Sequence, residues 1–243
     1  MSTSESLTSH LVNLSTFRPY STATEHDFLS AAGKGTLSKD LLSVFLSQDR
    51  LYAAHAYPKF IGRVLASVPF STFDPIDSDK ERFNQRVVKT LSGALQNVIR
   101  EANFFSDTAK KYGLQLEGWR ERKATRDYTA EMARIASTGR LEDGLIFLWA
   151  MERVYLDAWS YVSSLKGTSQ GPVSDALAEL VHNWTNEEFI IFVDELAELV
   201  NSLDVKPGSD AWVRAEDIWG RVIELEEAFW PPGENEIDFL KPL

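Results

Sequence analysis

The chain contains no cysteine, which excludes disulfide bonds, thiolate metal sites and a cysteine nucleophile. Basic residues are also scarce: 25 Lys and Arg stand against 36 Asp and Glu, for a formal net charge of -11. This deficit argues against nucleic acid or membrane partners, because phosphate groups are bound by clustered Lys and Arg. No apolar run approaches the roughly 20 residues that cross a bilayer, and the N-terminal segment does not resemble a secretory signal. We therefore expect a soluble, cytoplasmic protein.

Apolar residues make up 44% of the 243 residues, enough for a substantial core. Their spacing is helical nearly everywhere, and no convincing strand pair is present. The predicted helices span residues 5–16, 22–32, 38–67, 78–113, 121–138, 142–166, 173–203 and 209–230. A capping box at 185–188, with Thr185 as the cap, predicts a break beside Trp184, and Ser38 or Thr36 is the expected cap of the third helix. The sequence predicts one all-α helical bundle over residues 1–243.

Asp49 lies in the middle of an apolar helical stripe. Its neighbours on the same helical face include Phe45 and Tyr52, with Leu42, Ala53 and Ala56 at the other helical spacings. A carboxylate in such a position is costly unless a partner compensates its burial.

The same pattern recurs on two further helices. The residues on the face of Glu152 are Leu145, Leu148, Trp149, Tyr155, Leu156 and Trp159. Those on the face of Glu226 are Trp219, Val222, Ile223, Phe229 and Trp230. The ordinary interpretation is that each acid pairs with Arg or Lys on another helix. The alternative is that the bundle directs all three into one cavity, where shared burial raises at least one pKa and creates a general acid beside a base.

Aromatic residues make up 12% of the chain, and many of them flank these acids. Aromatic side chains with a few carboxylates suit a flat, nitrogen-rich heteroaromatic ligand, although any single aromatic residue is more often part of the core. Metal chemistry has no support, because di-iron bundles use a Glu-x-x-His pair on each of two helices, and among the four histidines only His182, after Glu179, has that spacing. Nothing supports haem ligation either, and no cofactor is predicted.

Five segments, in order, resemble motifs of the TenA family, also called thiaminase II. They are "GTLSKDLLSVFLSQDRLY", "REANFFSDTAKKYGLQL", "TRDYTAEM", "WAMERVYLDAW" and "ELEEAFW". The resemblance implies a haem-oxygenase-like helical fold without haem. It also implies hydrolysis of aminopyrimidines or formylaminopyrimidines to hydroxymethylpyrimidine, a thiamin precursor, in the salvage of degraded thiamin.

By the same resemblance, Asp49 and Tyr52 match the residues that bind the pyrimidine ring, and Tyr128 and Tyr155 match active-site tyrosines. Glu226 matches the catalytic glutamate of the last helix. Phe45 and Trp184 are expected to cover the ring. Family members also imply a homodimer or a homotetramer.

This chain departs from the family pattern at the cysteine position, which holds Met151. Glu152 follows it, as in the branch that uses glutamate in place of cysteine, and Trp184 stands where the cysteine branch has tyrosine. These departures favour pyrimidine hydrolysis over cleavage of thiamin, with Glu152 and Glu226 as the catalytic pair, one activating water and the other protonating the leaving nitrogen. Three alternatives stay open: a non-catalytic binding protein for a pyrimidine or another aromatic, a cofactor-less oxidase, and a structural domain whose acids form ion pairs.

Overall fold

The computed structural model describes residues 5–165 and 167–241. Over these ranges the chain is helical and contains no strand, which confirms the predicted all-α class. The elements are α1 (Leu7–Asn13), α2 (Tyr20–Thr24), α3 (Asp27–Lys34), α4 (Lys39–Leu51), a π-helical turn (Tyr52–Ala56), α5 (Tyr57–Ala66), α6 (Asp79–Tyr112), α7 (Lys123–Ser137), α8 (Leu141–Ser164), α9 (Pro172–Thr185), α10 (Glu187–Asn201), α11 (Asp210–Phe229), a 3-10 turn (Glu234–Glu236) and α12 (Ile237–Leu240). Residue 166, the predicted end of the helix 142–166, lies outside the described residues.

Helix α8 lies at the centre of the bundle. It contacts α11, α10, α3 and α9, and α2 packs against it as well. A helix that is apolar on nearly every side must be surrounded by others, and α8 is buried almost continuously from Leu141 to Met151. The buried apolar side chains of the bundle form one continuous cluster. The limits of the domain, residues 1–243, stay a prediction. No helix in the described ranges has the length and apolar character that crossing a bilayer requires.

Two predicted helices are interrupted. The segment 22–32 consists of α2 and α3, because the His26 ring nitrogen Nδ1 accepts a hydrogen bond from the backbone N–H of Phe28 and so starts a new helix. The break beside Trp184 is confirmed, but its cap is Asn186 and not Thr185. Asn186 accepts from the backbone N–H of Phe189, whereas the Thr185 hydroxyl donates to a carbonyl of α9. At α4 the cap is Ser38, one of the two candidates.

The predicted helix 38–67 is continuous but not regular. A π-helical turn, Tyr52–Ala56, separates α4 from α5, and the N–H of Tyr57 donates to the carbonyl of Tyr52, five residues earlier. Such turns add one residue to a helical turn and occur often at functional sites. This turn begins three residues after Asp49.

Candidate functional site

An internal cavity lies between α4, the π turn and the helices α5 to α11. The centre of a water-sized sphere can occupy about 40 Å³ of this cavity, more than the roughly 10–15 Å³ that a single water needs. The residues that line it are Asp49, Tyr52, Tyr57, Ala94, Asn97, Val98, Glu101, Tyr128, Met151, Glu152, Tyr155, Trp184, Phe189, Glu226 and Phe229. The set combines four carboxylic acids with seven aromatic residues and contains no lysine or arginine. Seven of the eight predicted site residues are therefore brought together.

Glu226, near the end of α11, is 2% exposed. Its Oε1 accepts a hydrogen bond from the hydroxyl of Tyr128 on α7, and its Oε2 has no partner among the described residues. Burial raises the pKa of Glu226 to about 8; the Tyr128 hydrogen bond opposes this rise, and the charge of Glu152 adds to it. A buried carboxyl with one free oxygen, facing a cavity, is an exception that calls for a ligand or a function.

Glu152, on the central helix α8, faces the same cavity. Its Oε1 accepts from the Tyr57 hydroxyl at 2.7 Å. Burial raises the pKa of Glu152 to about 8, the hydrogen bond from Tyr57 lowers it, and the charge of Glu101 raises it. Both predicted catalytic acids therefore hold a proton more tightly than an ordinary glutamate does, which suits proton transfer near neutral pH.

Asp49 is 3% exposed and accepts from the Tyr155 hydroxyl at 2.9 Å through Oδ2. Burial raises its pKa well above the usual range, as does the charge of Glu101, while the hydrogen bond from Tyr155 opposes the rise. The tyrosine holds one oxygen of the carboxylate and fixes its plane. An oriented carboxyl at the edge of a cavity is suited to paired hydrogen bonds with a planar ligand.

Glu101, on α6, is a fourth acid that the sequence reasoning missed. Its Oε1 accepts from the indole N–H of Trp184 at 2.5 Å and from the side-chain amide of Asn183 at 3.1 Å. Burial raises the pKa of Glu101 to about 7, and both hydrogen bonds lower it. The signal was in the sequence, because Glu101 shares a helical face with Val98 and Phe105 in the same way that Asp49 shares one with Phe45.

The four acids follow one rule: each accepts a hydrogen bond from an aromatic side chain. The pairs are Asp49 with Tyr155, Glu101 with Trp184, Glu152 with Tyr57, and Glu226 with Tyr128. In the described ranges no Lys, Arg or His lies within ion-pair distance of any of them. Within the part of the chain that the structure describes, Asp49, Glu152 and Glu226 therefore form no structural ion pair, contrary to the third alternative. No group of three or more acidic or histidine side chains in those ranges is arranged to hold a metal ion.

Phe45 does not line the cavity, contrary to the expectation that it covers a ligand ring. It is fully buried and packs against Phe28, Trp159 and Trp230, with ring centroids 5.0 to 5.9 Å apart. Its place on the apolar face of α4 is one turn before Asp49, where the helix meets the aromatic core. Trp184 does line the cavity, and its ring meets Tyr155 edge to face at 5.1 Å.

Tyr52 and Met151 form a further contact within the cavity. The Tyr52 hydroxyl donates to the thioether sulfur of Met151 at 3.2 Å, and its ring lies 5.1 Å from that of Tyr128. Met151 therefore occupies its place on α8 as a weak hydrogen-bond acceptor and an apolar wall.

Behind the cavity, Gln48 fixes the helices that carry the acids. Its Oε1 accepts from the backbone N–H of Arg122 and from the Thr125 hydroxyl, both at 2.8 Å. The buried Arg122 guanidinium in turn donates to the carbonyls of Phe229 and Ala228 at the end of α11. One network thus connects α4, the start of α7 and the end of α11, which bear Asp49, Tyr128 and Glu226.

Comparison with known proteins places these features in a family. The TENA/THI-4/PQQC family matches residues 15–236. A Glycine max protein named "Probable bifunctional TENA-E protein" is 24% identical, with 87% of this chain and 86% of that protein covered. A Fusarium pseudograminearum protein named "Probable transcription factor" is 26% identical and covers 74% of this chain, but the chain spans only 42% of that protein.

Among solved structures, the X-ray structure of a TenA homologue from Pyrococcus furiosus superposes with a TM-score of 0.71. The two sequences are 22% identical, and the match covers 87% of this chain and 92% of the other. At this level of identity the likeness establishes the shared fold.

Proposed function

The chain belongs to the TENA/THI-4/PQQC family, and from that membership and the chemistry of its cavity we propose that it is an aminopyrimidine aminohydrolase of thiamin metabolism. Its substrates are the amino- or formylamino-pyrimidines produced by thiamin breakdown, and its product is hydroxymethylpyrimidine. The observation that supports this most strongly is the composition of the cavity wall. It combines aromatic side chains with four carboxylic acids, none of which has a basic residue within ion-pair distance among the described residues.

For an aminomethylpyrimidine the reaction replaces nitrogen by oxygen at the exocyclic carbon. Water supplies the new C–O bond and gives up a proton, while the C–N bond breaks and the nitrogen leaves as ammonia after it has gained a proton. The reaction therefore needs one proton acceptor and one proton donor in the same cavity. Glu152 and Glu226 fill these roles, since one charged member of the pair raises the pKa of the other and so preserves the donor.

Asp49 recognises the ring in this proposal. One oxygen of its carboxyl group accepts a hydrogen bond from the ring amino group. The other oxygen shares a proton with the adjacent ring nitrogen. Tyr155 holds Asp49 in place, and Trp184, Tyr52 and Phe229 provide flat apolar walls for the ring faces.

Met151 bears on the choice between pyrimidine hydrolysis and thiamin cleavage. It occupies the position of the catalytic cysteine in the resemblance described above, and a thioether cannot act as a nucleophile. Expulsion of the thiazole of thiamin in this family relies on that thiol. Direct attack by water, assisted by Glu152 and Glu226, needs no such group.

The proposal is tested by comparing substrates at equal concentration. Aminopyrimidine or formylaminopyrimidine should be hydrolysed faster than thiamin, with hydroxymethylpyrimidine followed as the product by chromatography. If thiamin were the best substrate, the assignment of Met151 and Glu152 would fail. Tight binding of the pyrimidines without any turnover would instead identify a carrier protein.

A further inference from the structure

Glu101 stands apart from the other three acids because it borders two spaces. Besides the internal cavity, it lines an outer pocket between α6, α9 and α10, of which the centre of a water-sized sphere can occupy about 230 Å³. Asn97 and Phe189 also line both spaces. These three side chains therefore lie between the cavity and the outer pocket, whose other walls include Arg100, Asn183 and Ile191.

The hydrogen bonds of Glu101 use only half of its carboxylate. Trp184 and Asn183 both donate to Oε1, which links α6 to α9. No described residue donates to Oε2, and this oxygen is not sealed from solvent-sized space as Oε2 of Glu226 is. An acceptor that is free and accessible at the boundary of two spaces is available to a ligand in either of them.

We propose that Glu101 is a substrate-binding carboxylate whose Oε2 accepts a hydrogen bond from the aminomethyl nitrogen of the substrate. The outer pocket then receives acyl groups larger than formyl that are attached to this nitrogen. This inference rests on the proposed function and names a wider substrate class: N-acylated aminomethylpyrimidines. The ring stays with Asp49, and the substituent passes between Asn97 and Phe189 into the outer pocket.

The first test separates a ligand contact from a structural role. Glu101→Gln keeps the acceptor for Trp184 and Asn183 but places an amide where Oε2 accepts. Loss of one charge-assisted hydrogen bond should lower kcat/KM for aminomethylpyrimidine by about 10- to 100-fold. The inhibition constant of 4-amino-2,5-dimethylpyrimidine, which keeps the ring amino group but lacks the aminomethyl nitrogen, should change by less than about twofold, since it makes no contact that depends on Oε2.

Asp107→Asn is the matched control, because Asp107 is an exposed acid on the same helix that lines neither space. Equal losses for the substrate and the dimethyl compound in Glu101→Gln would overturn the proposal, as would no loss for either. Wild-type protein that turned over no pyrimidine at all would instead overturn the proposed function on which it rests.

The second test begins with the wild-type protein and does not depend on whether the Glu101→Gln variant folds. N-formyl, N-acetyl and N-butanoyl aminomethylpyrimidines should inhibit hydrolysis of aminomethylpyrimidine with constants within about tenfold of one another, because the outer pocket takes the longer chains. Ile191→Trp, which fills the outer pocket from a half-exposed position, should weaken N-butanoyl binding about tenfold and leave N-formyl binding unchanged. A steep loss of affinity from formyl to acetyl in the wild type would show that the passage is closed and overturn the proposal.

Discussion

Asp143 and Glu226 are both 2% exposed, yet the protein compensates their burial in opposite ways. Asp143, on α8, accepts two hydrogen bonds from Arg214 of α11, at 3.0 and 3.2 Å, and lies 3.5 Å from Arg140. Glu226 has a tyrosine hydroxyl on one oxygen and nothing on the other among the described residues.

The difference separates two uses of a buried acid. A carboxylate that is paired with arginine ties two helices together, and its removal leaves a cation without its partner. A carboxylate held only by neutral donors binds its proton more tightly and keeps an acceptor for something else. Asp143 therefore serves as an internal control for each acid of the cavity.

The largest expected effect is on turnover. Glu152→Gln and Glu226→Gln should each lower kcat by about 10²–10⁴-fold, the usual range for a positioned proton-transfer group. The double variant should be little worse than the poorer single variant, because the two groups act as one unit. The pH–rate profile of the wild type should be bell-shaped, with both limbs belonging to the coupled pair.

Asp143→Asn, assayed at a temperature where it stays folded, should keep kcat within about threefold of wild type, because Asp143 is outside the cavity. Near-normal turnover in Glu152→Gln would remove Glu152 from catalysis. It would also remove the idea that a glutamate replaces the missing cysteine.

The next effect contrasts affinity with stability. Asp49→Asn offers a donor where the ring amino group needs an acceptor, and should cost about 2–4 kcal/mol of pyrimidine binding with little change in Tm. Asp143→Asn should do the reverse, costing about 1.5–3 kcal/mol of unfolding free energy while leaving ligand affinity intact. Calorimetric titration and thermal unfolding of both variants measure the two quantities. Unchanged affinity with a large fall in Tm for Asp49→Asn would make Asp49 a structural residue like Asp143.

The smallest effect is a pH dependence of stability. Burial raises the pKa of Glu152 and of Glu226 from 4.5 to about 8, so the folded protein holds protons that the unfolded chain releases. The stability that each group contributes is fully present below about pH 4.5 and is lost as the pH rises to about 8. Within this window each group should lower the unfolding free energy by at most about 1.4 kcal/mol per pH unit.

Denaturant unfolding of the wild type between pH 5 and 8.5 measures this slope. Glu226→Gln has no proton to lose at this position and should be less sensitive to pH than the wild type. A slope in Glu226→Gln equal to that of the wild type would show that Glu226 is already ionised in the folded protein.

Helical periodicity in the sequence predicts most of the fold and most residues of the cavity. An acid on an otherwise apolar helical face can be recognised from the sequence alone. Asp49, Glu152 and Glu226 were found in that way, and Glu101 was missed although the same rule applies to it. Phe45 shows the limit of the rule: a helical face contacts whatever lies opposite, and periodicity does not distinguish the wall of a cavity from the solid core on either side of it. The cap at Asn186 was displaced by one residue because both Thr185 and Asn186 are good capping residues.

Tyr57 was missed for a different reason. Periodicity in a regular helix puts Ala53 and Ala56 on the face of Asp49, whereas the structure puts Tyr57 there, donating to Glu152. The π turn between them changes the spacing, and nothing in the tetrapeptide Ala53–Ala56 distinguishes a wide turn from a regular one.

The π turn is equivalent to the insertion of a single residue into an α-helix. At about 100° per residue, Tyr57 in a regular helix would point about 80° away from Asp49. The inserted residue turns the helix back by one step, which leaves Tyr57 about 20° from Asp49 and inside the cavity. Relatives with a regular helix here should therefore align with a one-residue gap between 52 and 56. Their equivalents of Asp49 and Tyr57 would be seven residues apart instead of eight, and an ungapped alignment would pair Tyr57 with the wrong side of the helix.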